Sequence, residues 1–211
     1  MTKVKICGLK TLEEISLVNK YLPEYVGFVF APSKRQVNDA QAKKMKEQLD
    51  PRIQTVGVFV NEPQQYIVSL CKQGILDVVQ LHGEEDNQYI KELRKKCKVP
   101  IIKAIRVQNA GQVKAEVQSD ADFLLFDTYK KESYGGSGEG FKLAILKQIL
   151  EEETVVKPFF IAGGLTLENV DRVFHEVACY GVDVSSGVEN DNKKDEEKVQ
   201  KFIRQVREKN R

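Results

Sequence analysis

Short apolar runs alternate with charged, amphipathic stretches along the whole chain. The runs are Lys3–Cys7, Tyr25–Phe30, Gln54–Val60, Val78–Leu81, Pro100–Ile105, Phe123–Phe126, Pro158–Ile161 and Gly181–Val184. Most are continuously apolar and rich in Val, Ile and Phe, with no strict polar alternation. Strands covered on both faces read this way, and parallel sheets are covered on both faces. Between the runs, apolar residues recur at helical spacing. Leu12, Ile15, Val18 and Tyr21 form one such stripe, Tyr66, Ile67 and Leu70 another, and Leu143, Leu146, Ile149 and Leu150 a third. The stretch Lys193–Lys209 puts Val199, Phe202, Ile203 and Val206 on one face and predicts a closing helix. The charge run Asp191–Lys198 reads as the start and exposed face of that helix.

The count is eight strand-then-helix units. Spread over 211 residues, that is about 26 residues per unit, close to the minimum for a strand, a helix and two short loops. Strict alternation implies parallel strands joined by right-handed crossovers. Eight units fit a closed (β/α)8 TIM barrel, an α/β fold, better than an open doubly wound sheet. The open sheet usually carries a glycine-rich turn after its first strand, and Cys7-Gly8-Leu9-Lys10 is not GxGxxG. No linker or low-complexity segment divides the chain, so residues 1–211 are expected to form one domain.

Composition narrows the partners. Lys plus Arg is 33 against 31 for Asp plus Glu, a net charge of +2. That balance argues against nucleic acid or an anionic membrane surface as the main partner. The start of the chain lacks the long apolar segment of a secretory signal, and the expected compartment is the cytoplasm. Cys7, Cys71, Cys97 and Cys179 form no CxxC pair, and the chain has two histidines, so no zinc site is expected. Cys71, Cys97 and Cys179 read as small, partly buried hydrophobes.

In a barrel the chemistry sits at the C-terminal ends of the strands. The clearest signal there is a pair of glycine-containing turns after the seventh and eighth strands, Gly163-Gly164 and Ser185-Ser186-Gly187. Exposed backbone N–H groups, serine hydroxyls and a short extra helix at this position suit a phosphate. The plainer reading, tight turns alone, is weakened by finding two such turns on consecutive strands. Cys7 and Asp127 end the first and sixth strands, which face each other across the mouth. A thiol and a carboxyl so placed suit proton removal at one atom and protonation at another. On spacing alone, Cys7 is as well read as a core residue and Asp127 as a helix cap or turn residue. Arg35 can grip a carboxylate bidentately, though a solvated surface arginine is the commoner case. His82, before Gly83, is a polar contact, a proton carrier or a cap. Asp183 inside the last strand is expected to orient a ligand hydroxyl or a neighbour, or to be a buried structural acid. Arg106 is either a second anionic contact or a surface residue.

These residues lie in segments that resemble a known family. Lys5-Ile6-Cys7-Gly8-Leu9, Gly27-Phe28-Val29-Phe30 with Ser33-Lys34-Arg35, Val56–Asn61, and Val79-Gln80-Leu81-His82-Gly83 come first. Phe126-Asp127-Thr128, Gly135–Gly138, Ala162-Gly163-Gly164-Leu165 with Glu168-Asn169-Val170, and Asp183–Glu189 follow in order. Together they resemble phosphoribosylanthranilate isomerase of tryptophan biosynthesis. The resemblance implies a cofactor-free Amadori rearrangement of N-(5′-phosphoribosyl)anthranilate, with Asp127 as general acid and Cys7 as general base. It further implies Arg35 on the anthranilate carboxylate and the two glycine turns on the phosphate. The expected partner is this small molecule, and the expected state is a monomer or homodimer. One departure stands out: the loop continues Glu139-Gly140-Phe141-Lys142, where the family often has Lys and then Phe-Asp-Trp. That puts a ligand contact from the loop in doubt, with Lys130, Lys131 and Lys142 able to restore the charge. Two alternatives remain. A related sugar-phosphate barrel enzyme is one, from which Cys7 in place of a carboxylate at the first strand end discriminates. A catalytically silent metabolite-binding barrel is the other; it has no need of a proton donor and acceptor at opposing strand ends.

Overall fold

The computed structural model describes residues 1–127, 138–152 and 157–209, with the side chains of 138–143 and 145 left out. The loop at Gly135–Gly140, with Glu139 and the neighbouring Thr128, Lys130, Lys131 and Lys142, therefore lies outside the described residues or side chains. Eight parallel strands close into a barrel in chain order. They are β1 (Lys3–Cys7), β2 (Tyr25–Val29), β3 (Gln54–Phe59), β4 (Val78–Leu81), β5 (Ile101–Arg106), β6 (Phe123–Asp127), β7 (Phe159–Ala162) and β8 (Gly181–Val184). Eight helices alternate with them: α1 (Leu12–Tyr21), α2 (Asp39–Gln48), α3 (Gln64–Lys72), α4 (Asn87–Lys96), α5 (Ala110–Glu116), α6 (Gly138–Glu151), α7 (Val170–Glu176) and α8 (Glu196–Glu208). The eight sequence runs match the strands to within a residue at either end, and the (β/α)8 expectation holds.

Alternation along each strand separates two cores. Outward residues such as Val4, Ile6, Val26, Phe28, Val79 and Leu81 pack under the helices in one large buried layer. Inward residues form a smaller cluster, Tyr25, Val56, Val78, Ile102, Ala104, Leu125, Phe160 and Ala162. Its floor is aromatic. Phe160 meets Tyr25 and Tyr180 edge-on at ring separations of 5.5 and 5.3 Å, and the two tyrosine hydroxyls hydrogen-bond at 2.9 Å. Each buried ring of this size contributes about 1.5–3 kcal/mol by leaving water. The plug closes the N-terminal end, so the polar inward residues gather at the other end.

Helix starts follow from capping. Thr11 and Asn38 form capping boxes with Glu14 and Gln41, and Asp195 accepts from the Lys198 amide at α8. Glu14 is buried and also accepts from the Lys194 amide at 3.0 Å, tying α1 to the segment before α8. That segment corrects the sequence expectation. Residues 189–194 form an antiparallel hairpin, β9 (Glu189–Asn190) and β10 (Lys193–Lys194), and the last helix begins only at Glu196. Asp191 and Asn192 have φ of 49° and 59°, the left-handed pair that a two-residue hairpin turn requires. Lys194, read as part of an exposed face, is buried. No helix among the described residues is long and apolar enough to cross a membrane.

Candidate active site

Because all eight strands are parallel, their C-terminal ends share one rim, and the polar inward side chains converge there. On β1, Lys5 and Cys7 are two residues apart and face inward together. Lys5 lies in register with Asp183 of β8, and Cys7 with Gly27 of β2. The Lys5 ammonium, fully buried, donates to Asp183 Oδ2 at 2.8 Å. A Cβ added to Gly27 would stand 2.6 Å from Cys7 Sγ and 3.2 Å from Lys5 Nζ, so the sulfur and the ammonium meet over that glycine. Burial pushes the Cys7 thiol up from its ordinary value, and the Lys5 charge opposes this. For Lys5 itself, burial would lower the ammonium, but Asp183 and Cys7 outweigh it and hold it above its ordinary value. Lys5 is therefore a cation in the throat.

Across the mouth, Asp127 ends β6. Its Oδ2 lies 3.2 Å from His82 Nε2, and His82 Nδ1 lies 3.1 Å from the Gln80 amide nitrogen. With that amide donating to Nδ1, the imidazole proton sits on Nε2 and is donated to Asp127. The loop carrying His82 is fixed from below. Glu85 accepts from the Asn61 and Gly83 amides at 2.7 and 2.9 Å, and Lys103 donates to the Gly83 carbonyl at 2.6 Å. Asp183 joins the two walls: its carboxyl, pushed up mainly by burial, is drawn down by Lys5 and His82 and pushed further by Asp127. Cys7 and Asp127 thus end their strands on the same rim, each acting electrostatically on Asp183.

Arg35, on the β2–α2 loop, lies across the first strand end. Its stem passes over Gly8, where an added Cβ would come within 2.4 Å of Arg35 Cδ and where φ is +84°. Glycine is required there on both counts. The guanidinium is not free. Nε and Nη2 donate to Glu189 at 2.7 and 2.6 Å, and Lys194 donates to the same carboxylate at 2.7 Å. Burial would raise the Glu189 carboxyl, but Arg35 and Lys194 outweigh it and hold it at about 2. Glu189 therefore fixes the Arg35 guanidinium through its Nε and Nη2 edge.

The two glycine turns abut. A Cβ on Gly187 would fall 1.8 Å from the Leu165 carbonyl oxygen, so the loops after β7 and β8 pack backbone to backbone. Gly163 and Gly164 have φ of +89° and +73°, and Asn169 donates to the Gly164 carbonyl at 2.9 Å. Ser186 opens the expected short helix, a single 3-10 turn over Ser186–Val188. The Ser185 hydroxyl donates to the Cys7 carbonyl at 3.0 Å. It ties the β8 turn to the first strand end. Asp183 likewise orients a neighbour, Lys5. Arg106, exposed at the end of β5 in register with Asp127, lines a side cavity of about 400 Å³ with His82, Lys103 and Gln108. Lys5, Glu189 and Lys194 carry much of the site's electrostatics without having been singled out as functional residues. The alternation of Lys3-Val4-Lys5-Ile6 is a signal for Lys5, since it sets lysines opposite the apolar face of a buried strand. Among the described residues, no group of three or more His, Cys, Asp or Glu is placed to hold a metal ion.

A closed parallel barrel with a thiol, a carboxyl, a guanidinium and paired glycine turns on its C-terminal rim defines an acid–base barrel enzyme of the sugar-phosphate class. The family described as N-(5′-phosphoribosyl)anthranilate (PRA) isomerase matches residues 4–205, and the chain belongs to it. It is similar to N-(5′-phosphoribosyl)anthranilate isomerase of Lachnoclostridium phytofermentans, 47% identical over 208 residues and 95% of each chain. The phosphoribosyl anthranilate isomerase structure from Thermotoga maritima superposes with a TM-score of 0.86 at 33% identity, covering 99% of this chain and 100% of that one. Another isomerase structure, in complex with reduced 1-(o-carboxyphenylamino)-1-deoxyribulose 5-phosphate, gives 0.83 at 31% identity, covering 99% and 100% of the two chains.

Proposed function

We infer that the protein catalyses the Amadori rearrangement of N-(5′-phosphoribosyl)anthranilate to 1-(2-carboxyphenylamino)-1-deoxyribulose 5-phosphate, a step of tryptophan biosynthesis. The observation that carries the reading is the pair Cys7 and Asp127 on one rim, joined electrostatically through Asp183. Asp127 gives a proton to the furanose ring oxygen, the C1′–O bond breaks, and a protonated Schiff base forms. Cys7, as thiolate, takes the C2′ proton, and the resulting enolamine tautomerises to the ketone. The Gly163-Gly164 and Ser185-Ser186-Gly187 turns hold the phosphate, and Arg35 holds the anthranilate carboxylate through the edge that Glu189 leaves open. Fixing both anionic ends supplies orientation, which in favourable systems is worth about 7–11 kcal/mol of barrier. His82, on Asp127, shapes the acid. The site is assembled from one chain's strand ends, which is compatible with a monomer or a homodimer, and a biosynthetic step of this kind supports the cytoplasm as its compartment.

The test is loss of substrate fluorescence on adding purified protein, followed as a first-order decay. Turnover in proportion to enzyme supports the reading. A folded protein that binds the substrate and leaves its fluorescence unchanged overturns it in favour of a silent binding barrel.

A further inference from the structure

The proposed reaction asks for a thiolate in a place that disfavours one. Cys7 is only partly exposed, and desolvation pushes its thiol up. Four charged groups face the sulfur: Lys5 on its own strand, Asp183 on β8, Arg35 from the β2–α2 loop, and Lys194 on β10. Two of the three cations are committed elsewhere. Arg35 turns Nε and Nη2 onto Glu189, and Lys194 donates to Glu189 and to the Ser185 carbonyl. Lys5 differs. Its ammonium donates one hydrogen bond to Asp183 Oδ2 and retains donors beside Cys7 Sγ, the two atoms converging over Gly27. The arrangement follows from the strands: Lys5 and Cys7 share the inward face two residues apart, and the β1–β8 register sets Asp183 opposite Lys5. Asp183 Oδ1 is buried with no hydrogen-bond partner, so the carboxylate's one bond goes to the ammonium.

We propose that Lys5, pinned by Asp183, is a positioning residue that eases ionisation of Cys7 to the thiolate base, with neither Lys5 nor Asp183 touching the substrate. This rests on the reading of Cys7 as the base. No atom of Lys5 takes part in bond making. Its fixed positive charge beside the sulfur replaces the water that burial removes. Methionine at position 5 would keep the packing and lose the charge, whereas arginine would keep the charge.

The test is the rate of Cys7 alkylation by iodoacetamide as a function of pH. Mass spectrometry of the Cys7 peptide separates it from Cys71, Cys97 and Cys179. Wild type, Lys5→Met and Lys5→Arg are compared, each shown to be folded by near-UV circular dichroism. The double variant Lys5→Met/Asp183→Leu removes the carboxylate that the single variant would leave buried and unpaired, and serves if that variant does not fold. In Lys5→Met the alkylation midpoint is expected to rise by about one pH unit or more, equivalent to about tenfold less thiolate at neutrality. kcat should fall about tenfold or more, with KM nearly unchanged and partial recovery at higher pH. Lys5→Arg should keep the midpoint near wild type. An unchanged midpoint in a folded Lys5→Met variant overturns the proposal, as does, where that variant does not fold, a double-variant midpoint no higher than that of Asp183→Leu, which keeps Lys5. The underlying reading fails separately: if Cys7→Ala turns over normally, Cys7 is not the base, whatever the alkylation profile says of Lys5.

Discussion

Replacing Glu189 by glutamine tests whether the carboxylate between Arg35 and Lys194 organises the rim. The wild-type oxygen atoms accept three charge-assisted hydrogen bonds of 2.6–2.7 Å, and the Glu189 side chain is 6% exposed. Glutamine keeps one acceptor oxygen, loses the charge, and turns an amide donor toward a cation. Lys194, whose side chain is fully buried, is then left without a counter-ion. Removing one partner of a buried pair typically costs about 3–5 kcal/mol. The carboxyl sits at about 2 in place of its ordinary 4.5, which on its own would correspond to roughly 3 kcal/mol. The Arg35 side is partly open to water, so screening lowers the expected loss to about 2–3 kcal/mol. Urea unfolding near neutrality reads it directly. The sign with pH follows from the depressed folded value. The stabilisation is complete above the unfolded carboxyl's range and is lost as pH falls toward about 2, so wild type and Glu189→Gln converge in acid. KM should rise several-fold as Arg35 loosens, with kcat little changed. A difference below about 0.5 kcal/mol near neutrality, with KM unchanged, would refute the reasoning.

Two further substitutions probe the other walls. Gly187→Ala drives a Cβ into the Leu165 carbonyl; parting the two loops should cost about 1–3 kcal/mol and raise KM at least tenfold, with inorganic phosphate becoming a weaker competitive inhibitor. His82→Gln removes the imidazole beside Asp127; kcat should fall by about tenfold with KM held, and an unaltered pH profile of kcat would deny His82 any influence on the acid.

The barrel was legible because its strands are continuous apolar runs. Val78–Leu81 and Gly181–Val184 needed no adjustment, since a strand buried on both faces has nowhere to hide a polar residue except at its ends or in the throat. The strand ends then pointed to Cys7, Asp127, His82 and the two glycine turns. What stayed hidden has a common cause. Lys5 and Asp183 are 178 positions apart, and Arg35 and Glu189 are 154 apart. Such pairs leave no periodicity within any window of sequence. The hairpin over 189–194 was masked in a different way. Its strands are two residues each, and the charge run around them matches the polar face of a helix. The positive φ of Asp191 and Asn192, which decides the matter, is a turn preference that a run of charges obscures. Arg35 was found as a carboxylate ligand, but the carboxylate it grips in the free protein is the chain's own.

The account stands most directly on the division of labour across the mouth, and single-turnover rates of Cys7→Ala and Asp127→Ala measure it. Each variant should fold as wild type does, bind the substrate with an affinity close to normal, and lose about 10²–10⁴-fold or more in the chemical step. A rate within a few-fold of wild type in either folded variant would contradict the assignment of base and acid to these two side chains.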